Sequence, residues 1–160
     1  IAKNTKGLAQ NEVEKDILRS KFARELGILI PLIDYDKQNK QPVWIQTELA
    51  KRATENQLCK IIGCINLIQL VGLAWNIADN DKDEVKYYLE TMKDHDKTKE
   101  QIKSTYEYAK LLAKLRRKFN LELGDFENSK NWGLVDGRPV IIDAGFNTEV
   151  MTSYYNESEM

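Results

Sequence analysis

The sequence predicts an α+β protein built as one compact unit, and three observations carry that expectation. An amphipathic helical pattern and two β-branched runs fill the first third. Long helical stretches fill the middle, and a tight hairpin signal stands near the end. At 160 residues the chain has the length of one ordinary domain. With 42% hydrophobic and 31% charged residues it can build a single sizeable core, which excludes a disordered tail, a collagen-like fibre and a disulfide-stapled miniprotein. Lys plus Arg number 24 and Asp plus Glu 25, a net charge of −1 that gives no electrostatic basis for nucleic acid or an anionic membrane surface.

A very short extended piece at the start ends in the turn signal Asn4-Thr5-Lys6-Gly7. From Gln10 to Leu26, Val13, Ile17, Leu18 and Phe22 recur at helical spacing, and Gly27 is a suitable stop. Ile28 to Tyr35 and Pro42 to Leu49 read as two strands joined by the loop Asp36 to Lys40. Thr54 is placed to cap a helix that runs through Leu58 to Leu73, apolar on most sides and therefore buried. Asp79 to Glu100 is a charge-rich stretch whose His95, flanked by Asp94 and Asp96, belongs in an exposed loop or helix end. A second amphipathic helix follows from Gln101 to Phe119, with Arg116, Arg117 and Lys118 opposing the negative end of its dipole.

The apolar stretch Ile61 to Ala78 is interrupted by Gly63, Asn66, Gln69, Gly72 and Asn76, too polar to span a bilayer. The two cysteines, Cys59 and Cys64, lack a second pair for a metal site and read as buried thiols of a reducing compartment. Trp44, Trp75 and Trp132 read as core residues. Tyr87-Tyr88 and Tyr154-Tyr155 are candidate partner surface, and the tail Thr148 to Met160 is a candidate short helix or inter-chain contact.

The end of the chain carries the chemistry. Within the run Asn131 to Gly145, Asp136-Gly137 is a two-residue hairpin signal, with Val140 to Ile142 as the second arm. The second arm is buried-strand material that delivers Asp143, and Gly145 lets the backbone turn after it. Asp143 offers a carboxylate and Asn131 an amide oxygen, hard ligands of the kind Mg²⁺ takes alongside phosphate and water. Asp125, just upstream, is placed to orient a hydroxyl or water, so the set suits phosphoryl transfer. On spacing alone the plainer reading also stands: a hairpin whose Asp caps one turn and whose Asn begins another.

The segment GDFENSKNWGLVDGRPVIIDAGF resembles the catalytic and metal-binding loops of the protein-kinase-like superfamily, most closely its short atypical members from bacteria and phages. The resemblance implies a reduced two-lobed kinase-like fold, with residues 1–50 as the small lobe and 51–160 as the mainly helical part with a terminal hairpin and tail. Asn131 matches the metal-binding asparagine. Asp143-Ala144-Gly145 matches the metal-binding Asp-Phe-Gly, with Ala for Phe.

By the same resemblance, Ile1-Ala2-Lys3 is similar to the strand bearing the nucleotide-binding lysine, a role that a residue just before Ile1 would fill as well. Glu14 is its partner glutamate, with Glu12 as the second choice. Gln46 to Ala50, including Glu48, is the hinge that cups an adenine. The implied cofactors are ATP and Mg²⁺, and Asp125 is the implied catalytic residue.

The chain departs from the family pattern in three places. Asp125 stands six residues before Asn131 rather than five, with Gly124 in place of the usual Arg and no His ahead of it. No Gly-rich strand-turn precedes Lys3, and little chain follows Asp143 to build a peptide-substrate platform. The expectation is therefore a nucleotide-binding kinase-like protein, either a phosphotransferase or a non-catalytic structural or interaction module of a phage particle or phage–host complex. It would act in a bacterial cytoplasm or a virion, with a protein partner or a second copy as a further possibility and neither membrane nor nucleic acid as a partner.

Overall fold

The computed structural model describes residues 5–145 and 147–152, and Lys3 and Tyr154-Tyr155 lie outside them. It is a mixed α+β fold dominated by helices, with two small antiparallel sheets. Helix α1 (Thr5–Arg19) begins earlier than expected, so Thr5 to Gly7 are helical rather than a turn. The single helix expected up to Leu26 is two. Ser20 leaves helical geometry, accepts the Ala23 N–H and restarts the chain as α2 (Lys21–Leu26), which Gly27 closes in the left-handed region.

Pro31 splits the first expected strand. Its N-terminal part, Ile28 to Ile30, pairs with the far end of the chain: Ile141 N–H donates to Ile28 O at 2.7 Å and Ile30 N–H to Ile141 O at 3.0 Å. Its C-terminal part is β1 (Leu32–Tyr35), antiparallel to β2 (Ile45–Thr47) with a register shift between Leu32 and Asp34. The wide loop between them is organised by Asp36, whose carboxylate accepts from Gln38 N, Asn39 Nδ2 and Val43 N. Helix α1 holds that loop from below, through Asn11 Nδ2 to Pro42 O at 2.8 Å.

The long apolar helix expected from Thr54 to Leu73 is also two, α3 (Glu55–Ile62) and α4 (Leu67–Ala78), bent by 50°. Gly63, at φ +92°, ends α3, and Asn66 caps α4 by accepting the Gln69 N–H. Near-continuous apolarity hid this break despite Gly63 and Asn66, because both helices bury into the same core. Thr54 forms a reciprocal capping box with Gln57, as a Thr followed three residues later by Gln allows.

The charge-rich stretch is helical as well, as α5 (Lys82–Asp94), with only Met92 buried among its residues. His95 sits at its C-terminus with Nδ1 against Thr91 O. Helix α6 (Lys99–Phe119) packs along α4 and buries Thr105, Ala109, Leu112, Ala113 and Leu115. The basic cluster ending α6 is structural. Arg117 holds the carbonyls of Ile77 and Ala78 at the end of α4, and Arg116 stacks on Trp75 with 4.8 Å to the ring centre. Among the described residues no single helix is long and apolar enough to cross a membrane.

The terminal hairpin forms as expected. Strands β3 (Trp132–Val135) and β4 (Arg138–Ile141) pair directly across Asp136 and Gly137, both at positive φ as a type I′ turn needs. The tail begins with a single turn, α7 (Thr148–Val150), capped by Asn147. Trp132 is buried as expected, Trp75 is half-buried, and Trp44 is 45% exposed, a correction taken up below.

A β-carbon at Gly63 would stand 2.8 Å from the Gln101 carbonyl oxygen, whereas one at Gly137 would meet nothing. Both glycines have positive φ. Gly137→Ala should therefore lose about 1 kcal/mol for its backbone conformation alone, and Gly63→Ala at least about 1 kcal/mol more for the collision with α6. Urea unfolding of the two variants checks this, and equal losses would contradict the close approach.

Candidate functional site

The β3–β4 hairpin is held on both edges. Beside the Ile28–Ile30 pairing with Ile141, Lys51 and Leu134 exchange two backbone hydrogen bonds of 2.8 Å on the opposite side. One further bond, Ile142 N–H to Asn131 O at 3.0 Å, sets the mouth of the hairpin and places Asn131 opposite the start of the Asp143 loop. The segment before β3 is two short 3-10 turns, Leu123–Glu127 and Ser129–Asn131. They are pinned to the core by Trp132, whose Nε1 donates to Phe126 O at 2.9 Å while its ring meets Phe126 edge-on.

This frame brings together four of the residues expected from the sequence. Asn131 Nδ2 donates to the Asp125 carbonyl at 2.7 Å, which ties the two residues and turns the amide oxygen away from that bond. Asp143 is exposed at the end of the hairpin, and its Oδ1 lies 3.4 Å from the Gly145 N–H. The loop after it runs hard against α1: a β-carbon on Gly145 would stand 2.5 Å from the Gln10 carbonyl. That approach sets Glu14 beside Asp143, with the Ala144 N–H hydrogen-bonded to the Glu14 carboxylate.

Three acids therefore share one small region. Burial pushes Glu14 up to about 7, helped by the charge of Asp143 and opposed by the Ala144 N–H. Burial likewise pushes Asp125 up to about 6, with Asp143 and Glu122 adding repulsion and Lys130 opposing it. Asp143 is thus the common neighbour that disfavours charge on both other acids.

A cleft runs past this cluster. On one side of Ile142 a cavity of about 400 Å³ is lined by Glu14, Trp44, Ile45 and Thr47. On the other side a cavity of about 610 Å³ is lined by Ala50, Lys51, Glu55, Lys130 and Trp132. A third, of about 600 Å³, shares Glu55, Ser129 and Lys130 with the second and continues to Asp125 and Asn131. Ala50 also borders a cavity of about 660 Å³ with Glu48 and Leu49. The expected hinge segment therefore lies along this cleft, with Glu48 exposed and Ala50 half-buried. Lys3 lies outside the described residues, and Glu12, the second choice, is half-buried on α1.

Three cleft residues escaped the sequence reading. Trp44 was expected in the core but its ring faces the cleft beside Glu14, because β2 is short and belongs to a two-stranded sheet with little to cover it. Lys130 adjoins Asn131 and brings a cation towards Asp125. Glu55 lines the same space while its Oε2 accepts the Leu67 N–H at the start of α4. The position of Lys130 next to the candidate ligand was the one signal available for any of them.

Among the described residues no group of three or more His, Cys, Asp or Glu side chains is close enough to hold a metal ion alone. The Asp143 carboxylate and the Asn131 amide oxygen are hard-oxygen donors of the type that Mg²⁺ takes alongside water and phosphate. Comparison with protein-family models, with curated proteins and with solved structures finds no match to this chain.

A carboxyl whose folded pKa is raised binds its proton more tightly in the folded state, so it favours folding at low pH and that contribution is lost as pH rises through the folded value. For Glu14 that window runs from about 4.5 to about 7. Glu14→Gln should therefore be more stable than the wild type at pH 8, by on the order of 1 kcal/mol, with the advantage fading by pH 5. Urea titrations of both proteins at the two pH values check this. An unchanged gap would place the Glu14 charge in solvent.

Proposed function

We propose that the chain is a kinase-like nucleotide-binding protein that takes ATP with Mg²⁺ in the cleft between β2 and the β3–β4 hairpin and transfers its terminal phosphoryl group. The observation that carries this reading is the nearness of Glu14, Asp125 and Asn131 to Asp143, from chain segments over a hundred residues apart, with open pockets lined by Glu14 on one side and by Asp125 and Asn131 on the other. The reading is supported by the nearness of a helix glutamate, the Asp143-Ala144-Gly145 that follows β4 and the Asp125–Asn131 pair.

The residues divide the work by their chemistry. Bound Mg²⁺ would neutralise phosphate charge, held by Asp143 and Asn131. Lys130, exposed at the cleft, supplies a cation to a phosphate oxygen. Glu48, Leu49 and Ala50 border the more apolar pockets, where a purine ring would sit. Asp125, titrating at about 6, is mostly ionised at neutral pH yet still basic enough to accept a hydroxyl proton. Its Asn131 contact goes through the backbone carbonyl, which leaves its carboxylate for the acceptor.

A second reading, a kinase-like module that docks a partner without phosphoryl transfer, is favoured by the register of Asp125 and by one surface feature. Leu49, at the expected hinge, is 96% exposed and Ile33 beside it 57%. That pair forms an apolar patch on the cleft's outer edge.

The two readings separate in one experiment. Saturating ATP with Mg²⁺ should raise the melting temperature of the wild type, as any ligand of the folded state does; at a hundred times Kd the gain is about 2.7 kcal/mol. Asp143→Ala should lose the metal-dependent part of that shift. Asp125→Asn should keep the shift and lose phosphoryl transfer by about a hundredfold or more. Transfer that survives Asp125→Asn removes Asp125 from catalysis. An ATP shift without any transfer in the wild type selects the docking module, and no shift at all overturns both the nucleotide site and the phosphotransferase.

A further inference from the structure

The α3–α4 break creates a feature with no part in the cleft chemistry. Residues five apart diverge around the axis of a continuous helix, where only neighbours three and four apart share a face. Here Gly63 turns the chain out of α3 with its N–H on the Cys59 carbonyl at 2.7 Å, and the turn folds Cys64 back onto Cys59. The two sulfurs stand 3.0 Å apart, with the Cys64 thiol directed at Cys59 Sγ. Both are free thiols and are the only cysteines in the chain.

We propose that Cys59 and Cys64 are a reversible dithiol–disulfide pair, oxidised by a peroxide at the α3–α4 corner. Closing the gap to the disulfide length of about 2.05 Å needs a sulfur displacement of only about 1 Å. The surrounding backbone is already fixed. Gly63 abuts Gln101, and Thr105 Oγ1 lies 3.5 Å from the Ile62 carbonyl.

Both thiols are buried, and Cys59 is the nearer to solvent, at 8% exposure against 1% for Cys64. The hydrogen bond from Cys64 lowers the Cys59 thiol's pKa, burial and Glu55 oppose that, and Lys97 adds a favourable positive charge. The Cys64 thiol, as the donor of that bond and the more deeply buried group, is shifted up.

The chemistry balances. The Cys59 thiolate attacks one oxygen of hydrogen peroxide, the O–O bond breaks, and the other oxygen leaves as hydroxide that takes a proton to become water. Cys59 is then a sulfenic acid. The Cys64 sulfur displaces its hydroxyl, which leaves as a second water with the Cys64 proton, and the S–S bond forms. Two thiols lose two electrons and two protons, and one peroxide becomes two waters. A dithiol reductant reverses the step by exchange.

The inference stands apart from the nucleotide reading and is tested on the whole chain. Lys60 lies between the two cysteines, so trypsin places Cys59 in the peptide 53–60 and Cys64 in 61–82. Reduced protein treated with hydrogen peroxide should lose about 2 Da and become resistant to thiol alkylation at both positions. It should then release these two peptides as one linked species that dithiothreitol separates. The same chain oxidised in guanidinium should close more slowly, because the fold holds the sulfurs together.

Unlinked peptides carrying added oxygen, linkage only between chains, or no reaction would each overturn the proposal. So would closure as fast in denaturant as in the native state.

Discussion

The hairpin at residues 132–141 is held between two distant stretches of chain, and the candidate site depends on that clamp. One edge is sealed by Ile28 and Ile30 on Ile141, the other by the reciprocal Lys51–Leu134 pair. Neither bond set belongs to a long sheet, and each regular sheet has only two strands, which is marginal on its own. The hairpin is stable because Trp132, Val135, Val140 and Ile141 are buried in the shared core. With both edges fixed, Asp143 emerges at one place relative to α1, and the close approach of Gly145 to Gln10 brings Glu14 to it.

That placement has an electrostatic consequence. Three carboxyl groups gather there, Lys130 opposes the charge of Asp125, and Glu14 and Asp125 are pushed up by burial and by Asp143. A fold that only needed a cap at the hairpin end would gain nothing from crowding acids there. Under the proposed function the same crowding is useful, because a bound cation relieves it and couples ligand binding to the local geometry.

Much of the site was legible in the sequence because its signals are local. Asp136-Gly137 specifies its own turn, and Asn131 and Asp143 follow from the lengths of the hairpin arms, whereas Gly145, expected to let the backbone turn, serves a close approach to Gln10. The parts that were not legible depend on partners far along the chain. Nothing local in Ile28–Ile30 says that it pairs with Ile141 while Leu32–Tyr35 pairs elsewhere. The α3–α4 break sits inside a mostly apolar stretch, so its marks, Gly63 and the capping Asn66, were not read as a helix end and start, and α5 buries too little for periodicity to reveal it. Trp44 went astray because hydrophobicity alone cannot tell a core face from the wall of a cleft.

The most direct test of the account locates the cation. With Mn²⁺ and ATP at substoichiometric amounts, the paramagnetic ion broadens amide signals according to distance, and a resonance-assigned sample reports where it sits. The account predicts that broadening starts at Asp125, Asn131 and Asp143 to Gly145, and that Asp143→Ala abolishes it there. Broadening centred instead on the acidic stretch of α5, or spread evenly over surface carboxylates, would contradict a cation site at the end of the hairpin.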